Sequence, residues 1–187
     1  GKVSIVRDNK VVGEFSQAAQ IPEGYLLRCE DKCAIQLDDV GIEVEPKTLF
    51  SVNQRTNRHQ LTVQHGTIYY SLTPSSQPLQ LDTPMERATI GSAQPNGENV
   101  NGYVRAAEDA TEIGVLGGGA LEVEMGADRR SVFSGNKLTI AAADARKAPS
   151  GVKTVGNLGL EKSYTVEAID TNTNDRLGQV FSDGGRG

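Results

Sequence analysis

The chain reads as all-β: a twisted, β-solenoid-like or sandwich-like stack of short antiparallel strands. Three observations predict this. Apolar and polar residues alternate with period two in "AIQL", "IEVE", "QLTVQH", "TIYYSL", "TEIGVL" and "LEVE", as in strands with one face buried. Turn clusters ("NQRTN", "TPSSQP", "QPNGEN", "GADRR", "SGNK") interrupt the alternation at short intervals. No window keeps apolar residues at helical spacing over three turns; "IAAADARKA" comes nearest, and it is short and stops at Pro149.

Taken in order, "KVSIV" opens the chain as a strand, and Leu26 to Cys29 with Cys33 to Leu37 form a hairpin. Gly41 to Glu45 and Thr48 to Asn53 follow, and Gln60 to His65 pairs with Thr67 to Leu72. Leu79 to Asp82, Asn101 to Ala107, Thr111 to Leu116, Ala120 to Met125 and Lys137 to Ala142 continue the series. Strands this short suit a sandwich, barrel or solenoid rather than a doubly wound enzyme fold. After Ala145 the texture changes: "RKAPSGVKTVGNLGLEKS" resembles a linker or a strap laid across a surface. "YTVEAID" and "RLGQVF" then read as one more hairpin around "TNTND". Two strands alone are marginal in water, so this hairpin must pack on the main domain, pair with another chain or belong to a following module. Residues 1–146 form the β domain in this reading, and residues 147–187 are a linker plus a C-terminal hairpin.

The 187 residues suffice for one domain with a proper core. With no Trp and 5% aromatics, that core must be built from Val, Leu, Ile and Ala. Lys plus Arg number 19 against 24 Asp plus Glu, a net charge of −5 that argues against a phosphate-binding surface and so against nucleic acid. No apolar run reaches the roughly 18 residues a membrane span needs. The opening Gly, without an initiating Met, looks like that of a trimmed or processed chain, and the sequence leaves open whether an export signal or anchor preceded it.

Cys29 and Cys33, the only cysteines, bracket Glu30, Asp31 and Lys32. Across a three-residue hairpin loop the flanking residues sit opposite one another at about 4.5–5.5 Å between Cα atoms, within disulfide range. Leu27, Cys29, Cys33, Ile35 and Leu37 would then share the inward face. So small a loop yields about 2 kcal/mol in the chain-entropy picture, and the bond implies an oxidising compartment. Two buried free thiols in a cytosolic protein are the plainer alternative. Zinc would need two more ligands, and a redox pair would use a C-x-x-C spacing at a helix N-terminus.

Other candidate sites read as structural. His59 and His65, six apart, offer a metal or acid–base pair, but no third ligand stands in register, and two polar residues near strand ends is the favoured reading. "DTNTND" from Asp170 imitates the start of a calcium loop but has Asp175 where Gly is needed and Phe181 where a bidentate Glu is needed. The glycines of "GVLGGGALEVE" precede a strand rather than a helix, which suits a tight turn between paired strands and not a phosphate site. Glu43 and Glu45 point to solvent while Ile42 and Val44 point inward, and Asp38-Asp39 is turn chemistry. No G-x-S-x-G elbow occurs. The reading is therefore non-enzymatic, with no catalytic residue, metal or cofactor. Adjacent Tyr69 and Tyr70 must face opposite sides of their strand, so one faces outward, either as a platform for a partner or glycan or as a cover on a sheet edge. Tyr69, Tyr70, Asn96, Asn99, Asn101 and Tyr103 are the candidate partner-binding residues.

Over about residues 3–142 the order of signatures resembles the FecR-like periplasmic domain family. "GKVSIVRDNKV" resembles the opening strand and turn, and "IPEGYLLRCEDKCAIQLDDVGIEVEPKTLFSV" the step through a hairpin and acidic turn to a Pro-x-Thr turn. "LTVQHGTIYYSL", "LQLDTPMERATIGS", "TEIGVLGGGALEVE" and "SGNKLTI" are similar to the segments that follow. The chain departs from the pattern at "GSAQPNGENVNGYV", a Pro- and Gly-rich loop, and in its cysteine pair. The resemblance implies a periplasmic or otherwise extracytoplasmic bacterial domain that works by contact with a protein of the cell envelope, in signalling or assembly. The alternative expectation is a cell-envelope glycan-binding module. The open edges of such a stack can accept a partner's strand.

Overall fold

The computed structural model describes residues 1–16, 22–55, 58–93, 97–142 and 162–169. Every helix or strand among them is a strand, and the strands form one continuous ladder that does not close into a barrel. The ladder divides into two sheets. Sheet A runs in the order β2 (Lys10–Ser16), β1 (Lys2–Arg7), β3 (Leu26–Cys29), β6 (Leu49–Arg55), β7 (Arg58–Leu72), β8 (Leu79–Asp82), β9 (Arg87–Ser92), β12 (Ala120–Met125) and β13 (Asp128–Phe133). Sheet B runs β4 (Cys33–Leu37), β5 (Val40–Val44), the second half of β7, β10 (Val100–Ala106), β11 (Ala110–Gly117), β14 (Asn136–Ala142) and β15 (Lys162–Ala168). All pairings are antiparallel except β7 with β8.

The chain visits the sheets alternately, mostly a hairpin at a time. The pairs β4–β5, β10–β11 and β14–β15 lie in B, and β1–β2, β8–β9 and β12–β13 lie in A. Inward side chains of both sheets meet in a single core, with Leu27, Phe50, Leu61 and Ile90 from A against Leu37, Ile42, Tyr70 and Ile140 from B. Of the two architectures expected, the sandwich is realised. Each fully buried aliphatic side chain contributes about 1.5–3 kcal/mol, and aliphatic residues supply most of this core, as the composition required. Local chemistry sets the tight turns: Asp8 (φ 53°) and Asn9 (φ 63°) form the two-residue link of β1–β2, where positive φ is needed and Asp and Asn tolerate it.

Strand β7 joins the two sheets. Its first half pairs with β6 and β8 in A, and its second half pairs with β5 and β10 in B. The register skips Gln64, since Leu49 opposes His65 while Phe50 opposes Val63. One extra residue reverses which parity faces the core, so Leu61 and Val63 point inward before the bulge and Ile68, Tyr70 and Leu72 after it. Gly66 turns this corner at φ 117°, with the backbone of Thr48 so close that a Cβ would lie 2.8 Å from the Thr48 Cα. The expectation that Gln60–His65 and Thr67–Leu72 pair with each other is thereby corrected; they are two halves of one bent strand in different sheets.

Two other links are corrected for the same reason. Strands β3 and β4 do not form a hairpin: β3 pairs with β1 and β6 in A, and β4 pairs with β5 in B. The glycines after β11 lie between strands of different sheets, with Gly118 at φ 87° pressed against the Asn99 carbonyl, rather than between paired strands. Strands β2, β9 and β13 were missed. "GADRR" contains only a two-residue turn, Gly126-Ala127, and its arginines already belong to an edge strand, where Arg129 pairs with Glu122 and Glu124 of β12 at 2.8 and 2.7 Å. "IAAADARKA" begins inside β14, and the rest of it lies outside the described residues, as do "RLGQVF" and "DTNTND" beyond Ile169.

Replacing Gly66 by Ala is expected to cost more than about 2 kcal/mol, because positive φ and contact with main chain act together. The same change at Gly126, also at positive φ but with open space around it, is expected to cost about 1 kcal/mol. Urea denaturation midpoints of the two variants check the difference.

Candidate interaction surface

The disulfide between Cys29 and Cys33 forms, with Cα atoms 6.0 Å apart. Both half-cystines are buried, and the inward set of Leu27, Cys29, Cys33, Ile35 and Leu37 is as expected. The clasp differs in kind from the expected one, since it closes a step from sheet A to sheet B. The step is also tied to the N-terminal strand, where the Glu30 amide donates to the Lys2 carbonyl (2.9 Å) and the Lys2 amide to Asp31 Oδ1 (2.8 Å). That amide chiefly holds the Asp31 carboxyl below its usual range, and Glu30 is likewise lowered, first by its hydrogen bond from Arg28. Cys29, Asp31 and Cys33 form the one three-residue grouping of potential metal ligands among the described residues. With both sulfurs in the disulfide, no thiolate remains to bind a metal.

The next crossovers stack on this one. The Lys47 amide donates to the Cys29 carbonyl (2.7 Å) and the Cys29 amide to the Thr48 carbonyl (3.2 Å). Thr48 Oγ1 donates to the Thr67 carbonyl and accepts from the Thr67 amide, both at 3.2 Å, and the Glu45 amide donates to the Thr67 carbonyl at 3.1 Å. The disulfide step, the Pro46-Lys47 turn and the Gly66 bend thus form one seam along the side of the sandwich.

The tyrosines separate by face. Tyr70 points inward and is 1% exposed; its Oη donates to the Gly114 carbonyl at 2.8 Å, and it lies against Gly102, where a Cβ would meet its hydroxyl at 2.4 Å. Tyr69 and Tyr103 oppose each other on the outer face of sheet B. Ile169 and Leu116 pack on them, leaving them 4% and 0% exposed. Tyr103 lies over Gly114, whose missing side chain makes room for the ring. The Arg105 guanidinium stands 5.5 Å from the Tyr103 ring centroid, and Glu112 accepts from Tyr103 Oη (3.4 Å), Arg105 (3.5 Å) and Lys137 (3.5 Å). Tyr70 and Tyr103 are thus packed within this chain. Tyr69 and Tyr70 take opposite faces, and the outward one is covered. Asn99 is exposed, Asn101 half-buried, and Asn96 outside the described residues.

A recess of about 200 Å³ remains beside Tyr69, lined by Lys32, Glu43, Val44, Glu45 and Pro46. Glu45 Oε1 accepts a hydrogen bond from the Tyr69 hydroxyl, and Lys32 lies 3.9 Å from Glu43. The histidines do not assemble: His59 is buried with Nε2 3.0 Å from Asp38 Oδ2, and His65 is exposed.

Sequence reasoning missed the group that docks β15. Tyr164 Oη donates to Glu86 Oε2 (2.7 Å), Lys162 Nζ lies 3.3 Å from the same oxygen, and Arg130 stands 6.0 Å from the Tyr164 ring centroid. The available signal was the alternation of "YTVEA", which places Tyr164 inward; its partners are distant in sequence. Among the described residues four strands, β2 and β13 in A and β4 and β15 in B, are paired on one side only. Val11 and Val12 on β2, Phe133 on β13 and Val166 on β15 are the large apolar residues these edges expose. Among the described residues, no helix is long and apolar enough to cross a membrane.

No family model and no curated protein matches the sequence. The fold is similar to two crystal structures of a "putative anti-sigma factor" from Parabacteroides distasonis, with TM-scores of 0.50 and 0.51 and 10% identity. The likeness covers 78% of this chain and 60% of each of those chains, so this chain spans well under two thirds of their length. At that identity it establishes the architecture.

Tyr70→Phe is expected to cost about 1–2 kcal/mol by removing a buried hydrogen bond, measured by thermal unfolding. Burial raises the hydroxyl pKa of Tyr69, Tyr70 and Tyr103 above its ordinary value and pushes that of Tyr164 up to about 12. The unfolded chain releases these protons first, so their stabilisation is complete below about pH 10 and is lost as pH rises, for Tyr164 between about pH 10 and 12. Urea midpoints measured upward from pH 8 are expected to fall across that window, less steeply in Tyr164→Phe.

Proposed function

We propose that this chain is a non-catalytic, extracytoplasmic protein-interaction module of the FecR-like kind, acting in cell-envelope signalling or assembly. The observation that carries this reading is the fold likeness over 78% of the chain to structures named as an anti-sigma factor. Two features support it. The Cys29–Cys33 bond suits an oxidising compartment, and the four strands paired on one side only among the described residues offer backbone donors and acceptors to a partner's strand. On this reading residues 1–146 are the FecR-like domain, and residues 147–187 are an extension whose strand β15 completes one edge. The glycan alternative drew on exposed Tyr and Asn residues; Tyr70 lies inside and Tyr69 and Tyr103 are covered, while Tyr25 and Asn99 stay exposed.

In the native host, thiol trapping is expected to find both cysteines oxidised in the envelope fraction, and deleting the gene is expected to change transcription from a promoter that depends on an alternative sigma factor. Free thiols on a cytosolic protein, with unchanged transcription, would overturn the proposal.

A further inference from the structure

Strand β14 belongs to the core and β15 does not. Leu138 and Ile140 of β14 are fully buried, whereas Tyr164 is the one residue of β15 that is not exposed. Nevertheless β15 pairs with β14 along its whole length, from Asn136 opposite Ala168 to Ala142 opposite Lys162. Backbone bonds on an exposed edge belong to the low-stability end of a structure. Beyond those bonds Ser163 Oγ donates to the Ala141 carbonyl at 3.4 Å, and among the described residues three anchors reach past β14. Lys162 and Tyr164 converge on Glu86 of the β8–β9 turn, and the Tyr164 ring packs on the core beside Arg130. Past the strand, Ile169 closes over Tyr69 and Tyr103, its amide donating to the Gly135 carbonyl at 2.9 Å.

Removing β15 would leave β14 in place with a bare edge, Glu86 without either of these partners, and the tyrosine pair uncovered on one side. That set is a receptor for an extended segment: main-chain bonds supply affinity, and the Glu86 and Tyr69–Tyr103 positions read side chains. We propose that the β14 edge is a strand-acceptor site which the chain's own β15 occupies as a stand-in. Its partner is an extended protein segment with a basic residue, an aromatic two positions later and an aliphatic five positions after that, the spacing of Lys162, Tyr164 and Ile169. This rests on the protein-interaction reading above and specifies where that contact is made. A tethered strand competes at an effective concentration near the millimolar range, so a partner enters only by outbidding these three anchors.

The test uses the full chain and a fluorescent peptide with the sequence of residues 162–169, KSYTVEAI. Wild-type protein is expected to bind the probe weakly by anisotropy. Tyr164→Ala is expected to bind it at least about tenfold more tightly, a gain equivalent to one modest anchor, because the probe brings the tyrosine the variant's own strand lacks. Ile169→Asp should show a similar gain, and a probe with alanine in place of its tyrosine should show none. Probe affinity that is unchanged in both folded variants overturns the proposal. So does wild-type hydrogen exchange in which β15 amides are protected as strongly as those of β10, a measurement that does not depend on either variant folding. An envelope partner that binds a protein unable to take the probe removes this site and leaves the interaction reading intact. Probe uptake without any envelope partner supports the site and removes that reading.

Discussion

The two sheets depend on one contact, the Thr48 hydroxyl held between the amide and carbonyl of Thr67 beneath Gly66. A strand that changes sheets must break its ladder, and buried main-chain groups left without partners at the break would each cost about 1–3 kcal/mol. Thr48, fully buried, supplies a donor and an acceptor where the ladder of β7 is interrupted. Gly66 permits the approach because any side chain there would occupy the space of Thr48. The neighbouring step at Cys29–Cys33 is fastened covalently, and the Lys47 amide ties the two together.

At the seam the layers share β7 and the disulfide; at the far end of the ladders Arg130 of β13 stands over the Tyr164 ring of β15, whose hydroxyl reaches Glu86 of the β8–β9 turn. Among the described residues the outer face of sheet B is finished with an aromatic pair and a charged network. Glu112 collects two cations and a hydroxyl, an arrangement that keeps Tyr103 oriented while its ring covers the glycine in the adjacent strand. Ion pairs near the surface add little stability singly; the effect of these partly buried ones is to position the ring.

Period-two alternation made the strands legible, and the bounds expected for β3, β4, β8 and β12 agree with the structure. Alternation reports which face a residue takes but not which strand lies beside it. Cys29 and Cys33 were therefore placed inward correctly and assigned to the wrong connection, because a three-residue link can return within a sheet or step to the facing one with the same inward pattern. The split of Tyr69 from Tyr70 followed from neighbouring positions alone. The covering of Tyr69 and Tyr103 did not, since Leu116 and Ile169 arrive from far along the chain. Strand β13 escaped notice because an edge strand rich in paired charges has the composition of a turn.

The bend in β7 carries a consequence for how the molecule comes apart. One strand contributes to both layers and touches β5, β6, β8 and β10, so losing either half of it strips partners from the other layer as well. The strands around β7 therefore gain and lose order together, while the β15 edge opens locally.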